Sequence, residues 1–273
     1  MEDNKNLKFQ ISNLRLLRVW LKMSSMAAQS QLLTNWAGVM FLVGKVVRFL
    51  MFFLFLFIVV GAVGSLVGYN RQQVILFFLI FNLIDITTQF LFRGVYQFRQ
   101  SVVSGNYDIY LVRPLPSFLV PVFGFMDIQD FITLLPLAFY LGWYLNSGSV
   151  TITTINFLVF LLLFANSLVL AFAFHLFVCS ICILTTQIDP LVWIYRDLTN
   201  MARFPTDIYQ KGIQLVLTFT IPVIILITVP AKALLGLLSW QMIVFAFLIS
   251  GIFLFGSLKF WQYALKRYSS ASS

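Results

Sequence analysis

The stretch FLMFFLFLFIVVGAVGSLVGY, residues 49–69, contains 21 residues and no charged side chain. An α-helix rises 1.5 Å per residue, so a helix of this length spans about 31 Å, close to the thickness of the hydrocarbon core of a bilayer. Apolar side chains occupy every face of such a helix, which is typical of a helix surrounded by lipid. Residues 49–69 are therefore predicted to cross a membrane.

Five more apolar runs follow in the sequence, at residues 74–92, 127–146, 155–183, 212–230 and 239–258. Charged residues make up only 10% of the chain, whereas soluble domains carry about 25%. The runs do not alternate between apolar and polar residues, as the strands of a membrane β-barrel would. The fold class is thus predicted to be an all-α polytopic membrane protein with six transmembrane helices.

The basic residues are distributed unevenly between the predicted loops. If six helices cross the membrane, 16 of the 18 Lys and Arg residues lie on one side, and only Arg71 and Lys232 lie on the other. Positive charge marks the cytoplasmic side, so both termini are predicted to be cytoplasmic in an integral protein of the plasma membrane, the inner membrane in bacteria. The net charge of +9 then reflects topology and contact with anionic membrane lipid, and no nucleic acid partner is predicted.

Residues 13–36, NLRLLRVWLKMSSMAAQSQLLTNW, differ from the apolar runs. Leucine, tryptophan and methionine recur at helical spacing with basic residues between them, which predicts an amphipathic helix on the inner membrane face. The alternative is a basic extension of the first transmembrane helix. The predicted domains are an interfacial region at 1–48, a transmembrane domain at 49–260 and a cytoplasmic tail at 261–273.

The sequence offers no clear catalytic or metal-binding set. His175, Cys179 and Cys182 share one helical face, but the chain has only 1 histidine and 2 cysteines, fewer than the four ligands of a closed metal site. We therefore interpret these three residues as packing residues. The segment Gly38–Lys45 lacks the serine or threonine and the preceding strand of a phosphate loop. Neither a metal nor a cofactor is predicted for this chain.

Three polar residues of the second run, Asn82, Asp85 and Gln89, share a face because they are spaced i, i+3 and i+7. An ionisable residue inside a membrane helix usually faces the bundle interior or a wet cavity. One interpretation is a substrate route, with Asp85 sensing a cation. The other is hydrogen bonding between helices, which would only hold the bundle together.

Two acidic residues at the start of the third run have a simpler interpretation. A helix from Asp127 to Asn146 has the length of a full span. Asp127 is then expected to cap this helix, with Asp130 in its first turn, where the helix dipole favours negative charge. The preceding segment, SFLVPVFGF, is left as a short apolar stretch along the inner membrane surface.

The long inner loop, residues 93–126, contains the stretch SGNYDIYLVRPLPS at residues 104–117. This stretch resembles the segment that follows the second span in ATP-binding-cassette (ABC) type 2 permeases. The matching residues are Gly105, Asp108, Leu111, Arg113, Pro114 and Leu115. A second resemblance covers RFPTDIY at residues 203–209 and the later TIPVIILITVPAKALLG, ending at Gly236. The two matches have the family's order and spacing over about residues 90–260.

The resemblance implies one half of an exporter. Two such permease chains, alike or different, would enclose a route and bind two cytoplasmic ABC ATPase subunits. It also implies that the inner loop and the N-terminal amphipathic helix contact the ATPases, and that residues 229–240 form a re-entrant or interfacial hairpin on the outer side. The residues to which we assign coupling are Arg93, Gly105, Asp108, Arg113 and Pro114.

Two other classes of protein remain as alternatives. A secondary transporter of one chain would more often show inverted repeats, and a membrane-embedded enzyme would need a polar catalytic cluster. Because the apolar runs are rich in Phe, Leu, Ile and Val, an amphipathic or hydrophobic cargo is expected. The favoured function is that of an exporter permease whose ATP is hydrolysed by a separate subunit.

Overall fold

The computed structural model describes residues 13–32, 35–148, 150–186 and 189–269. Residues 1–12 of the predicted interfacial region and 270–273 of the predicted tail lie outside the described residues. The helices are α1 (Asn13–Leu32), α2 (Asn35–Val63), α3 (Arg71–Leu91), α4 (Val95–Val103), α5 (Asn106–Leu111), α6 (Leu119–Phe123), α7 (Ile128–Asn146), α8 (Thr154–Thr185), α9 (Asp189–Asn200), α10 (Lys211–Phe219), α11 (Val229–Leu234) and α12 (Trp240–Lys266). Strands β1 (Ser65–Leu66) and β2 (Tyr69–Asn70) form one antiparallel hairpin.

The helices confirm the all-α polytopic fold class. Five stretches are long and apolar enough to cross a membrane: Gly38–Val63, Arg71–Val103, Ile128–Asn146, Thr154–Thr185 and Trp240–Lys266. A bent pair of helices, Lys211–Phe219 with Ile224–Leu234, gives a count of 6 if it is taken as one span. We call the end of the bundle with residues 93–126 the inner end and the end with the β-hairpin the outer end, following the expectation from charge.

The first transmembrane helix begins earlier than its apolar run indicates. Helix α2 starts at Asn35 and contains Lys45 and Arg48, so the predicted boundary at residue 48 lies inside a helix. The charge of Lys45 is compensated by an ion pair inside the protein, and a long basic side chain does not interrupt helical backbone. The amphipathic helix α1 precedes α2, and its side chains Leu17 and Leu21 are exposed, as expected for a helix at a membrane surface.

Helix α3 forms the centre of the bundle. Its residues from Val74 to Phe81 are all buried, and it packs against α2, α7 and α8. Helix α12 packs along α8, where the Asn166 side-chain amide donates to Ser250 Oγ at 2.9 Å. The start of α3 is fixed by a capping box, in which Asn70 and Gln73 bond to each other's backbone.

The inner loop is folded, because it contains α4, α5 and α6. Helix α4 follows α3 closely enough that Arg71–Val103 forms one helical stretch of 33 residues. The apolar stretch that was expected along the inner membrane surface contains α6, whose side chains Leu119, Val120 and Val122 are buried because α6 packs on α4 and α8. Burying these apolar side chains inside the protein stabilises the loop as a compact unit.

Residues 189–209 follow a path that the sequence did not predict. The segment was expected to be a cytoplasmic connection, but it runs through the bundle from the inner half towards the outer end. Tyr195 stacks on Phe174 in the inner half of α8, with ring centroids 4.3 Å apart. Further along, Asp207 accepts a hydrogen bond of 3.0 Å from the Tyr69 hydroxyl, beside the β-hairpin.

The prediction that Arg203 and Lys211 lie on the inner side is therefore wrong. Arg203 lies over the ring of Phe81, near the midpoint of α3, at 5.5 Å from the centroid. Lys211 follows Asp207 and begins α10 at the outer end. The segment lacks a long apolar run because protein surrounds it, and backbone at membrane depth can be irregular where protein covers it.

Residues 211–236 form a re-entrant hairpin, which begins earlier than residue 229. The axes of α10 and the 224–234 stretch differ by 84°. At the bend, Ile221, Pro222 and Val223 surround a small gap together with Leu170, near the middle of α8. The returning limb reaches the outer end again, where Lys232 Nζ donates to Asp207 Oδ1 at 2.8 Å.

Candidate functional site

A cavity of about 340 Å³ lies between α2, α3 and α7. Its volume falls in the range of small-molecule sites, about 300–1,000 Å³. Aromatic side chains form much of the wall, and they come from all three helices: Phe49, Phe52, Phe78, Phe81 and Tyr140. Ring contacts such as Phe52–Phe78 at 5.2 Å and Phe53–Phe78 at 6.4 Å pack α2 against α3 beside the cavity.

The structure brings Asn82, Asp85 and Gln89 together on the wall of this cavity. Asn82 Nδ2 donates to the carbonyl of Phe78 at 2.7 Å, and Gln89 Nε2 donates to Asp85 Oδ2 at 2.8 Å. Both hydrogen bonds lie within α3, so they do not join neighbouring helices. This geometry fits the substrate-route interpretation, which stays a prediction, better than the bundle-stabilising one.

Two arginines that the sequence did not assign to the site also line the cavity. Arg48 comes from α2, and Arg203 comes from the segment that rises through the bundle. The Arg203 guanidinium lies 5.1 Å from the centroid of Phe52 and donates to Asn200 Oδ1 at 2.8 Å. The RFPTDIY motif was the one sequence signal that could have pointed to Arg203, but the charge pattern predicted that this arginine lies in an inner loop.

An ion-pair cluster lies at the inner end of the cavity. Lys45 Nζ is 2.5 Å from Asp130 Oδ1 and 3.9 Å from Asp127 Oδ2. Arg93 is 3.0 Å from Asp127 Oδ2 and 3.9 Å from Asp130 Oδ2. The cluster thus joins α2, the junction between α3 and α4, and the start of α7.

The two acidic residues of this cluster were predicted as helix caps, and the structure confirms that part. Asp127 is the N-cap of α7 and accepts from the backbone N–H of Gln129 at 2.9 Å, while Asp130 lies in the first turn. Their ion pairs were not predicted, because the basic partners are distant in sequence. Arg93, to which we assigned ATPase coupling, instead points into the protein and pairs with these carboxylates.

Helix α1 is attached to the same region through Gln31. Its Nε2 donates to the carbonyl of Met126 at 2.8 Å, and its Oε1 accepts from the backbone N–H of Ile128 at 2.9 Å. One side chain therefore bonds to the backbone on both sides of the start of α7. A displacement of the interfacial helix would act directly on one wall of the cavity.

The remaining coupling candidates lie in the inner loop. Gly105 begins α5 with φ of 73°, a left-handed conformation that favours glycine. Asp108 accepts a hydrogen bond of 2.8 Å from the hydroxyl of Tyr268, after the end of α12. Burial and the contact with Asp108 raise the pKa of Tyr268 to about 12, so this hydroxyl stays protonated and remains a donor at neutral pH.

Arg113 and Pro114 are exposed at the inner end. The Arg113 guanidinium lies 5.4 Å from the ring centroid of Tyr110. Arg113 and Tyr110 line a surface groove between α4 and α5 that also includes Tyr96 and Phe125. Of the five coupling candidates, Arg93 alone takes part in the ion-pair cluster among the described residues.

His175 and the two cysteines are buried residues of α8. The Nδ1 atom of His175 is 2.7 Å from the carbonyl oxygen of Ala171, and its ring contacts Phe92. Cys179 and Cys182 are both buried. Across the described ranges, no group of three or more His, Cys, Asp or Glu residues is arranged to hold a metal ion.

Comparison with known families gives one match, and it covers most of the chain. The model of the ABC-2 family transporter protein matches residues 46–272. No curated protein and no solved structure matches the chain. The matched region contains the folded inner loop, the re-entrant hairpin and all of the cavity lining except Leu42 and Lys45. The chain belongs to the ABC-2 transporter family, as an integral membrane permease.

Proposed function

We propose that this permease is half of an exporter that moves an amphipathic or hydrophobic compound, driven by a separate ATPase subunit. The family is a membrane transport component without its own catalytic site. The observation that supports a route through this chain is the wall of α3, where Asn82, Asp85 and Gln89 face a cavity lined with aromatic rings. A cavity lined by both polar side chains and aromatic rings suits a molecule that is itself amphipathic.

Coupling is proposed to act through the inner loop. Association with ABC ATPase subunits is what membership of the family implies. Arg113 is exposed next to the groove between α4 and α5, and its planar guanidinium suits a bidentate pair with a carboxylate on a partner. The alternative role, a positive-inside anchor, needs only a charge at this position.

Two connections would carry a displacement of the inner loop to the cavity. Helix α4 continues α3, so movement of α4 is transmitted along one helical stretch to Asp85. The end of the loop leads to Asp127, which caps α7 and pairs with Arg93. Arg93 is thus proposed as a link within the chain, and Gly105, Asp108, Arg113 and Pro114 as parts of the surface that receives the ATPase.

A second permease chain, identical or related, is also part of the proposal. Helix α2 forms one wall of the cavity, yet most of its apolar side chains are not buried within the chain. Its exposed side chains include Met40, Leu50, Met51 and Leu54. A second chain against this face would enlarge the route and enclose it.

The experiment is purification of the tagged permease from membranes, followed by identification of the ATPase that remains bound and assay of its hydrolysis in proteoliposomes. The proposal expects an ABC ATPase at equal stoichiometry to the permease, with hydrolysis stimulated by amphipathic compounds. Arg113→Lys should reduce this stimulation if the guanidinium pairs with the partner, and should have no effect if it is only an anchor. Normal coupling of hydrolysis to export in Arg113→Ala would refute the assignment of Arg113.

A further inference from the structure

The positive and negative charges on the cavity lining do not cancel. Lys45 and Asp130 form a close ion pair at the inner end, so their charges compensate each other. What remains on the lining is two guanidinium groups, Arg48 and Arg203, and one carboxylate, Asp85. The part of the cavity that a ligand can reach therefore carries an excess of positive charge.

Asp85 is itself surrounded by positive charge. Arg48, Arg196 and Arg203 all lie within electrostatic range of its carboxylate, and Gln89 donates a hydrogen bond to it. A cationic ligand approaching Asp85 would meet the repulsion of these arginines. The interpretation of Asp85 as a cation sensor is therefore not the one that this arrangement favours.

Polar and apolar groups are also segregated along the cavity. Asp85 and Gln89 lie in the inner half of α3, and Lys45 and Arg48 lie in the inner half of α2. Phe78 is nearer the outer end of α3, and on α7 Tyr140 lies beyond Thr133 in the same direction. A molecule in the cavity would find most of its charged partners at the inner part, Arg203 near the midpoint of α3, and the rings of Phe78 and Tyr140 beyond it towards the outer end.

Arg203 is well placed to bind an anion. Phe52 and Phe81 flank its guanidinium at 5.1 and 5.5 Å, which holds the group in an apolar setting where hydrogen bonds to charge are strengthened. A guanidinium has five N–H donors, and the hydrogen bond to Asn200 uses one nitrogen. Donors are left for a carboxylate, phosphate or sulfonate.

We propose that the cavity binds amphipathic anions, with the anionic head against Arg203 and Arg48 and the apolar body against the aromatic rings of α2, α3 and α7. This rests on the proposed function, because it names the class of cargo for the same route. The charge of Asp85 then limits how tightly the anion is held, because two negative groups in one cavity repel each other.

The test uses three dansyl-labelled undecyl probes that differ only in the head group: carboxylate, hydroxyl and trimethylammonium. Binding to the whole chain in nanodiscs of neutral lipid is followed by dansyl fluorescence. We expect the carboxylate probe to bind about tenfold more tightly than the hydroxyl probe, since a charged hydrogen-bonded pair supplies at least that factor. The trimethylammonium probe should bind most weakly.

Variants separate a head-group contact from damage to the fold. Arg203→Gln should remove the preference for carboxylate while leaving the hydroxyl probe unchanged, and Arg203→Lys should restore part of it. Asp85→Asn should make the carboxylate probe bind more tightly, because it removes the repulsion between the Asp85 carboxylate and the probe. Lys259→Gln, an exposed basic residue on α12, is the matched control and should behave as wild type.

Several results would overturn the proposal. These are tighter binding of the trimethylammonium probe than of the hydroxyl probe, equal weakening of all three probes in Arg203→Gln, or displacement of the carboxylate probe by millimolar inorganic phosphate. Head-group preference without ATP-driven movement in proteoliposomes would keep this site and refute the proposed function. ATP-driven movement of all three probes without any head-group preference would support the proposed function and refute this anion site.

Discussion

Lys45, Arg93, Asp127 and Asp130 concentrate four charges where three helices meet at the inner end of the cavity. The Asp130 side chain is only 3% exposed, so its carboxylate depends on these partners for compensation. Removing one partner of a buried ion pair leaves an uncompensated charge, whereas replacing both by apolar residues can be almost neutral. The cluster should therefore respond to substitution as a unit.

Lys45→Met is expected to lower the free energy of unfolding by about 2 kcal/mol, below the usual cost of breaking a buried pair because Arg93 still faces Asp130. The double variant Lys45→Met with Asp130→Leu should recover most of this loss. Unfolding in detergent micelles measures both, with Lys259→Met as the control. Additive losses in the double variant would show that the two residues are not coupled.

The residues of the cavity were only partly predictable. Helical spacing alone placed Asn82, Asp85 and Gln89 on one face, because the 3.6-residue period holds wherever the helix forms. Arg203 was not predictable in this way. Its position depends on an irregular segment that is stabilised by contacts distant in sequence. The spacing of neighbouring residues gives no information about such contacts.

At the level of elements, the inner loop shows how a polar, proline-containing stretch becomes a compact unit. Gly105 supplies the left-handed turn between α4 and α5, and the Trp261 indole donates to Ser117 Oγ at 2.9 Å, which holds the loop against α12. Such a unit transmits a displacement because few of its bonds can rotate without breaking contacts.

Gly105→Ala is expected to cost about 1 kcal/mol of unfolding free energy, since an L-residue pays this much in the left-handed region. The added Cβ meets nothing closer than Asp108 Oδ2 at 3.9 Å, so the cost is conformational and not steric. Gly105→Asn should cost less, because asparagine tolerates this conformation. Equal losses for alanine and asparagine, measured by unfolding in micelles, would contradict this explanation.

The re-entrant hairpin shows what an apolar run cannot specify. Residues 212–230 have the length and composition of a straight span, and the same composition serves a helix that bends by 84°. Pro222 at the bend was the available signal, since proline disfavours continued helix. The preceding polar segment was predicted as a loop because its partners, such as Tyr69 and Lys232 for Asp207, are distant in sequence.

Whole-molecule topology follows from where residues 189–209 run. With Asp207 beside the β-hairpin, the exposed residue Gln210 lies at the outer end, whereas the sequence predicted an inner loop there. Across the described residues the number of predicted crossings is unchanged, because the re-entrant hairpin enters and leaves from the same side.

Single cysteines in a background with Cys179 and Cys182 replaced test this topology. Cysteines at Gln210 and Asn146 should react with an impermeant maleimide added outside intact cells, and a cysteine at Asn106 should react only after the membrane is opened. Protection of Gln210 in intact cells, with labelling after permeabilisation, would restore the cytoplasmic loop and refute the path described for residues 189–209.

We propose that a partner ATPase drives an amphipathic cargo through the cavity between α2, α3 and α7. Movement of the dansyl-undecanoate probe can be measured in proteoliposomes that hold the permease with its purified ATPase subunit, comparing wild type with Asn82→Trp, whose large ring fills the cavity. We expect movement that requires ATP hydrolysis in wild type, and loss of movement in Asn82→Trp with the ATPase still bound. Movement driven by an ion gradient without the ATPase, or undiminished movement in Asn82→Trp, would contradict it.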